Sequence, residues 1–369
     1  MVIMLFQVWC MYMVHAMAPP SQNLNRKQFL GGVTASSLVV KPIVAAAEQK
    51  PDVFEVAPGS LDGQTVMITG ANSGLGLESA ARLAAGGATI IATARSEEKA
   101  QFAIDTVKSR VSGADIRGVV LDLASLDSIR SVPKSISNTN IDILMNNAGV
   151  MALPDERRTQ DGFERQIGIN FLGHFALTAI LMPQLAKKAR IINVSSAAHI
   201  GAKKNDIEQA IVNNMFAPSK YSQWGNYCTS KAMNILFSKE LQRRFDQAGR
   251  LGSIVSLHPG VVATDLGRYL IGGSDAAGSA SLDLTQKQQA QPLLQFLSYL
   301  GVLPVEKGAN TQVFLAAAAD SETRDLGANG GLYFDKMQVA QSSQLTQDTD
   351  LAYRVFAAGE RATGVSFLV

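Results

Sequence analysis

The chain predicts an α/β fold, a single domain built on a doubly wound parallel sheet with helices on both faces. Three observations carry that expectation. From Gly63 onward, short β-branched or aliphatic runs alternate with longer helix-patterned ones. The first run, Val66-Met67-Ile68, breaks at Thr69-Gly70 into a turn whose Gly70, Gly74 and Gly76 lead into a helix. With 369 residues and 47% hydrophobic content, the chain is also long and apolar enough to bury a large core.

Taken in order, the short apolar runs place strands at 65–69, 89–92, 118–121, 141–145, 190–194 and 253–257. Helical stretches fill the gaps at 75–85, 96–111, 125–136, 159–188 and 222–248, the alternation that a parallel sheet with crossover helices requires. Leu332-Tyr333-Phe334, after the Gly330-Gly331 break, reads as a late edge strand. The least regular segments, 201–221 and 267–291, read as mobile loops over a site.

Residues 1–52 differ from the rest, and the folded domain is expected over 53–369. No Asp or Glu occurs before Glu48, and two apolar runs flank Pro19-Pro20 and the basic pair Arg26-Lys27. Such a leader reads as a targeting segment, with R-K-Q-F-L-G-G similar to a degenerate twin-arginine signal. Tandem signals suit a plastid, and a thylakoid step beyond it. The competing reading is an uncleaved membrane anchor, as in the endoplasmic reticulum, although the first run is marginal for a span of about 20 residues.

Composition narrows the function. A net charge of +2 offers no strongly basic face, which argues against nucleic acid. Cys10 and Cys228 are too few and too far apart for a disulfide framework or a metal cluster. His15, His174, His199 and His258 have no metal-ligand spacing and read as structural, so no metal is expected.

The glycine turn from Gly70 through Ala71, Asn72, Ser73, Gly74 and Leu75 to Gly76 brings backbone N–H groups and a helix N-terminus to one place, where a nucleotide diphosphate is favoured. Its Gly-x3-Gly-x-Gly spacing departs from G-x-G-x-x-G, and alone it is a weak signal with tight strand–helix packing as the lesser alternative. Arg95 follows the second strand where a carboxylate would favour NAD; an arginine suits the 2′-phosphate of NADP, and otherwise caps a helix or faces solvent. Asp122 and Leu123 follow the third strand at the adenine position, and Asn147, Ala148 and Gly149 follow the fourth beside the ribose. Tyr227 and Lys231 lie four apart on a helix, so the ammonium is expected to lower the phenol toward acid/base work near neutral pH. Ser196, ending the fifth strand, can hydrogen-bond a substrate oxygen. Asn170 within a helix needs a task for its amide, such as holding a water or a carbonyl near the lysine, and otherwise reads as a satisfied core amide.

The chain resembles the short-chain dehydrogenase/reductase family. The matching motifs run in order: T-G-A-N-S-G-L-G at 69–76, L-D-L at 121–123, N-N-A-G at 146–149, I-N-F-L-G-H-F at 169–175, I-I-N-V-S-S at 191–196, Y-C-T-S-K at 227–231 and H-P-G-V-V-A-T at 258–264. The resemblance covers roughly 60–340 and implies a Rossmann fold with Asn170, Ser196, Tyr227 and Lys231 as a catalytic tetrad. It further implies that the residues named above, with Lys231 on the ribose and Val262 and Thr264 near the nicotinamide amide, hold NADP. A-R-S-E-E-K-A at 94–100, the G-H-F and S-S-A-A-H variants, and E-K-G-A-N-T-Q-V-F at 306–314 look most like the retinol dehydrogenase and protochlorophyllide reductase branch. The former fits better, because the latter normally carries extra cysteines and a longer insertion before the tyrosine. The activity so implied is NADP-dependent transfer of a hydride between nicotinamide and a lipophilic carbonyl or alcohol, the apolar residues of 266–271 and 293–300 covering the pocket. Membrane association and a homodimer through helices 159–188 and 222–248 are further expectations. A different class also stays open: a regulatory or scaffold subunit resembling the dehydrogenase-like component of the chloroplast import apparatus.

Overall fold

A computed structural model of the chain describes residues 52–216, 221–262, 302–317 and 331–368. The expectations that fall on 1–51, Thr264, the apolar pocket cover and the loop 267–291 lie outside the described residues. The described part belongs to the unit Asp52–Val369. Its centre is an eight-stranded sheet in the order β3-β2-β1-β4-β5-β6-β7-β8. The strands are β1 (Thr65–Ile68), β2 (Thr89–Ala94), β3 (Ile116–Val120), β4 (Ile141–Asn146), β5 (Leu185–Val194), β6 (Ser253–His258), β7 (Tyr333–Asp335) and β8 (Gln338–Ala340). All pair in parallel except β7 with β8.

The helices are α1 (Gly74–Ala85), α2 (Glu97–Arg110), α3 (Leu126–Ser135), α4 (Arg165–Gln184), α5 (Lys204–Val212), α6 (Gln223–Gln247), α7 (Val305–Gly308), α8 (Asn310–Ala317) and α9 (Thr349–Thr363). They cover both faces of the sheet, which is why the central strands are apolar on both sides. Met67, Ile91, Leu144 and Ile191 pack into one core layer, while Ile68, Ile90, Ile143 and Ile192 pack into the other. Strand order reverses between β1 and β4, so the carboxyl ends of these strands open the crevice where a doubly wound sheet binds its ligand.

Several expectations change in detail. The stretch 159–188 is not one helix: α4 starts at Arg165, contains a widened π-turn at Gly168–Gly173, and gives way to β5 at Leu185. The segment 201–221 holds helix α5 rather than a plain loop. Tyr333–Asp335 is an interior strand, because the unforeseen β8 occupies the edge beside it. Helix α4 is long and apolar enough to cross a membrane, but 89% of its apolar window is buried inside the domain, as a core helix requires.

Helix α9 packs across α4 and α6. Phe356 of α9 lies 5.0 Å from Phe175 and 6.0 Å from Phe237, and Phe367 lies 4.9 Å from Phe175. Gly359 allows the approach, since a Cβ there would lie 2.9 Å from the Phe175 ring.

Candidate active site

Five strand ends bring the foreseen residues to one edge. Gly70 follows β1, Arg95 follows β2, Asp122 follows β3, Asn147 follows β4 and Ser196 follows β5. Gly70 and Gly74 have φ values of +65° and +50°, a left-handed backbone that a side chain resists. Ala71 is anchored across the sheet by its N–H on the Thr93 carbonyl. Helices α2 and α3 are capped by the Ser96 and Ser125 side chains, whereas Ser73 gives α1 no side-chain cap and its first turn has no acid. The N–H groups at the start of α1 therefore suit an anion such as the phosphates of a dinucleotide. Asn72, Ser73, Gly74 and Leu75 are partly exposed along this turn, as a binding loop must be.

Close packing locks the turn to the N-N-A-G segment. A Cβ on Gly76 would sit 2.4 Å from the Gly70 carbonyl oxygen and 2.6 Å from Asn147 Nδ2. Asn147 Nδ2 donates to the Thr69 carbonyl at 2.8 Å. The buried Gln312 on α8 donates to Ser79 Oγ at 2.7 Å, with a longer reach of 3.3 Å to Asn147 Oδ1. Gly76→Ala is expected to displace the turn, to cost about 1–3 kcal/mol of stability, and to weaken NADPH binding at least tenfold. Thermal unfolding and fluorescence titration check this, and an Ala variant that binds normally would disprove the packing argument.

Around the nucleotide positions the side chains divide by task. Arg95 is exposed and, among the described residues, has no ion-pair partner. Asp122 spends Oδ1 on the Ala124 N–H at 2.9 Å, which shapes the loop after β3, and Leu123 is buried against the core. Val262 pairs with Leu303 beside Gly308, where a Cβ would touch both Val262 and Leu75. This brings Val262 near the glycine turn from the other side of the crevice.

Asn170, Ser196, Tyr227 and Lys231 converge below that crevice. Lys231 Nζ lies 5.9 Å from the centroid of the Tyr227 ring and donates to the Val194 carbonyl at 2.9 Å. A Cβ on Gly149 would lie 3.6 Å from Lys231 Nζ and 3.1 Å from Asn170 Oδ1, so the bare backbone of N-N-A-G fits between the two. The Asn170 amide is fully used: its Oδ1 accepts the Val150 N–H at 2.8 Å, and its Nδ2 donates to the Val150 carbonyl and to Ser230 Oγ. Asn170 sits in the π-turn of α4, the helix irregularity that recurs at functional sites. Ser195 is committed elsewhere, donating to the Lys231 carbonyl at 2.7 Å.

The electrostatics differ from the expectation of an acidified phenol. Burial pushes Tyr227 up to about 12, outweighing the Ser196 hydrogen bond that pulls the other way. Burial also pushes Lys231 down to about 8. Desolvation of both charged forms thus exceeds the attraction foreseen from the four-residue spacing. The Cys228 thiol, raised to about 11 by burial, packs with Ala198, Tyr227, Met151 and Trp224 as a small apolar residue.

Sequence reasoning passed over Thr69, Ser230, Gln312, Met151 and Trp224, which tie or line this site. Their signal is weak, because each acts through a contact between distant segments. His174 and His199 stood out as branch variants without a task, and both make main-chain contacts to tetrad positions.

An uncapped glycine turn at the same strand ends as buried Tyr227, Lys231 and Asn170 and a partly exposed Ser196 defines the class of dinucleotide-linked oxidoreductases. Comparison with known proteins gives the family. The short chain dehydrogenase description matches residues 64–206. Retinol dehydrogenase 13 of Homo sapiens is 34% identical over 340 residues, covering 91% of this chain and 93% of its own. Polyprenol dehydrogenase of Mus musculus is 32% identical, covering 85% and 87%. The crystal structure of an uncharacterised protein from Mycobacterium paratuberculosis superposes with a TM-score of 0.64 at 30% identity, covering 86% of this chain and all of that one. The chain belongs to the short-chain dehydrogenase/reductase family, in its retinol dehydrogenase branch.

Proposed function

We propose that this chain is an NADP(H)-dependent oxidoreductase acting on a lipophilic carbonyl or alcohol, with Tyr227, Ser196, Lys231 and Asn170 as its reacting group. One observation carries the reading: the buried Tyr227 phenol, whose pKa Ser196 pulls down, lies beside Lys231 at the strand ends where the uncapped glycine turn also lies. The residues present fit a nicotinamide dinucleotide, since the α1 N-terminus is free for an anion and Gly149 leaves room beside Lys231. When bound, the nicotinamide donates or accepts the hydride.

The chain's own residues handle the proton. A phenol raised to about 12 is protonated at neutral pH, so Tyr227 is set to donate to the oxygen of a carbonyl substrate. Ser196 donates a hydrogen bond to the same oxygen and polarises the carbonyl. Lys231, mostly protonated at pH 7 with a value of about 8, stabilises the phenolate left after donation. Asn170 fixes the Val150 backbone and, through Ser230, the Tyr227 helix. The apolar wall of Met151, Ala198, Ala202 and Trp224 around Tyr227 supports a lipophilic substrate. The named relatives are dehydrogenases of retinol and polyprenol, which agrees with that class.

Arg95 supports NADP over NAD. Arg95→Glu is expected to weaken NADPH by about 10–100-fold, the worth of a charged hydrogen bond, while NADH changes less than threefold. Parallel titrations with both nucleotides decide it, and equal losses would overturn the preference.

The match to 91% of the chain necessarily enters the 1–52 segment, so part of that leader is common to relatives from animals, which have no plastids. This favours the membrane-anchor reading of the leader over plastid delivery.

The test is consumption of reduced nicotinamide with a panel of apolar aldehydes and ketones, comparing the native chain with Tyr227→Phe. Turnover that depends on Tyr227 is expected. NADPH binding without it would favour the regulatory subunit, and dependence on light the pigment reductase.

A further inference from the structure

Hydride transfer leaves unused a histidine that lies between the two halves of the site. His174 is wholly buried, one turn after Asn170 on α4. Its Nδ1 lies 3.0 Å from the Asn170 carbonyl oxygen, and its Nε2 lies 2.9 Å from Thr69 Oγ1. A carbonyl oxygen only accepts, so the ring hydrogen is on Nδ1 and Nε2 accepts from the Thr69 hydroxyl. The tightened turn that closes the π-turn makes this possible. The backbone N–H of His174 goes to the Phe171 carbonyl, and the imidazole takes the Asn170 carbonyl that a regular helix would give to that N–H.

Both ends of the imidazole reach groups with a place in the site. Thr69 immediately precedes Gly70, and its Oγ1 accepts the backbone N–H groups of Asn147 and Ala148, each at 2.9 Å. The hydroxyl thus uses its donor and both acceptors, with the 3.4 Å approach to the Met145 carbonyl a weaker outlet for the same hydrogen. At the other end, Asn170 Nδ2 reaches Ser230 Oγ at 3.0 Å, and Ser230 Oγ donates to the Tyr227 carbonyl at 2.8 Å. The bonds therefore run from the glycine turn through His174 to the Asn170 main chain and, across the covalent bonds of Asn170 to its side-chain amide, on to the helix that carries Tyr227. Burial keeps this imidazole neutral, with a value pushed down to about 4, so the arrangement is unaltered across the neutral range.

We propose that His174 is a positioning residue that couples the dinucleotide turn at Thr69 to Asn170 and Tyr227, so that nucleotide affinity and alignment of the phenol depend on one hydrogen-bonded unit. This rests on the oxidoreductase reading above and adds to it a residue that touches neither substrate nor nucleotide. The test compares His174→Phe, His174→Gln, Thr69→Val and the double variant His174→Phe/Thr69→Val in the full chain. NADPH dissociation constants from fluorescence titration, kcat with an apolar aldehyde, and Tm are measured for each.

His174→Phe keeps a ring of similar size but loses both bonds, and is expected to weaken NADPH about tenfold and lower kcat about tenfold. Gln retains a donor and an acceptor and is expected to recover part of both losses. The double variant should be no worse than the harsher single variant within about twofold, because both changes break the same link. Unchanged NADPH affinity and kcat in His174→Phe, whatever its Tm, would overturn the proposal, as would losses that multiply in the double variant. If His174→Phe does not fold, His174→Gln alone and combined with Thr69→Val decides the same question. Failure of the unaltered chain to bind NADPH or NADH would instead bring down the oxidoreductase reading and this proposal with it.

Discussion

Tyr227→Phe is expected to lower kcat by about 10²–10⁴-fold, the contribution of a positioned general acid, while NADPH affinity changes by no more than a few-fold. The change removes one oxygen and keeps the ring, which stays packed edge-on to Trp224 at 6.2 Å and within the apolar cluster of Met151, Ala198 and Cys228. Ser196 retains its hydroxyl and Lys231 its bond to Val194, so the rest of the site stands. An effect confined to kcat identifies the phenol oxygen as the group that moves the proton. Initial rates beside equilibrium titrations check this. A variant that keeps native kcat would remove Tyr227 from the chemistry.

Acidification from pH 7 to pH 4 is expected to destabilise the domain by several kcal/mol through two buried histidines. Burial pushes His174 and His199 each down to about 4 from the usual 6.5. Between those values the unfolded chain binds a proton at each site and the folded chain does not. The stability present above pH 6.5 is therefore lost as pH falls through 6.5 toward 4, by up to about 3 kcal/mol per histidine. Against a total of about 5–15 kcal/mol for a typical domain, that loss is large. Glu164 opposes it, because burial raises its carboxyl and protonation relieves the penalty. Urea midpoints measured between pH 7 and pH 4 check the slope, and His174→Phe and His199→Phe should each flatten it. A midpoint independent of pH in that range would show that neither imidazole is held neutral.

His199 is fixed as firmly as His174. Its Nδ1 lies 2.7 Å from the Ser196 carbonyl, its Nε2 accepts the Ser343 N–H at 3.0 Å, and its ring packs 5.1 Å from Tyr333. The C-terminal segment after β8 is thereby joined to the turn that carries Ser196.

Much of this was legible in the order of residues. The six strands foreseen from β-branched and aliphatic runs appear within a few residues of their expected bounds, because both faces of a parallel sheet are buried and only apolar runs tolerate that. The glycine turn was legible because left-handed backbone at Gly70 and Gly74 demands that residue type. Of the four candidate residues, Ser196 was legible from its strand end and Tyr227 with Lys231 from their helical spacing, whereas Asn170 and the grouping of all four came from the family resemblance. What local pattern misjudged was Thr159 to Lys188, where one segment with an apolar middle holds a loop, a helix with a π-turn and the start of β5. Periodicity does not separate a buried helix from a buried strand when every side chain is apolar.

The residue sequence by itself determined the strand and helix alternation, the glycine turn and the residues at the strand ends, since these come from backbone sterics and from burial of local apolar runs. Only the tertiary structure decided that burial outweighs the lysine in setting the Tyr227 phenol, that α9 packs across α4 and α6, and that His174 meets Thr69 across 105 positions of chain. The physical reason is the same in all three. Desolvation, packing and hydrogen bonding between distant segments depend on which groups meet in space, and residue order fixes that only through the completed fold.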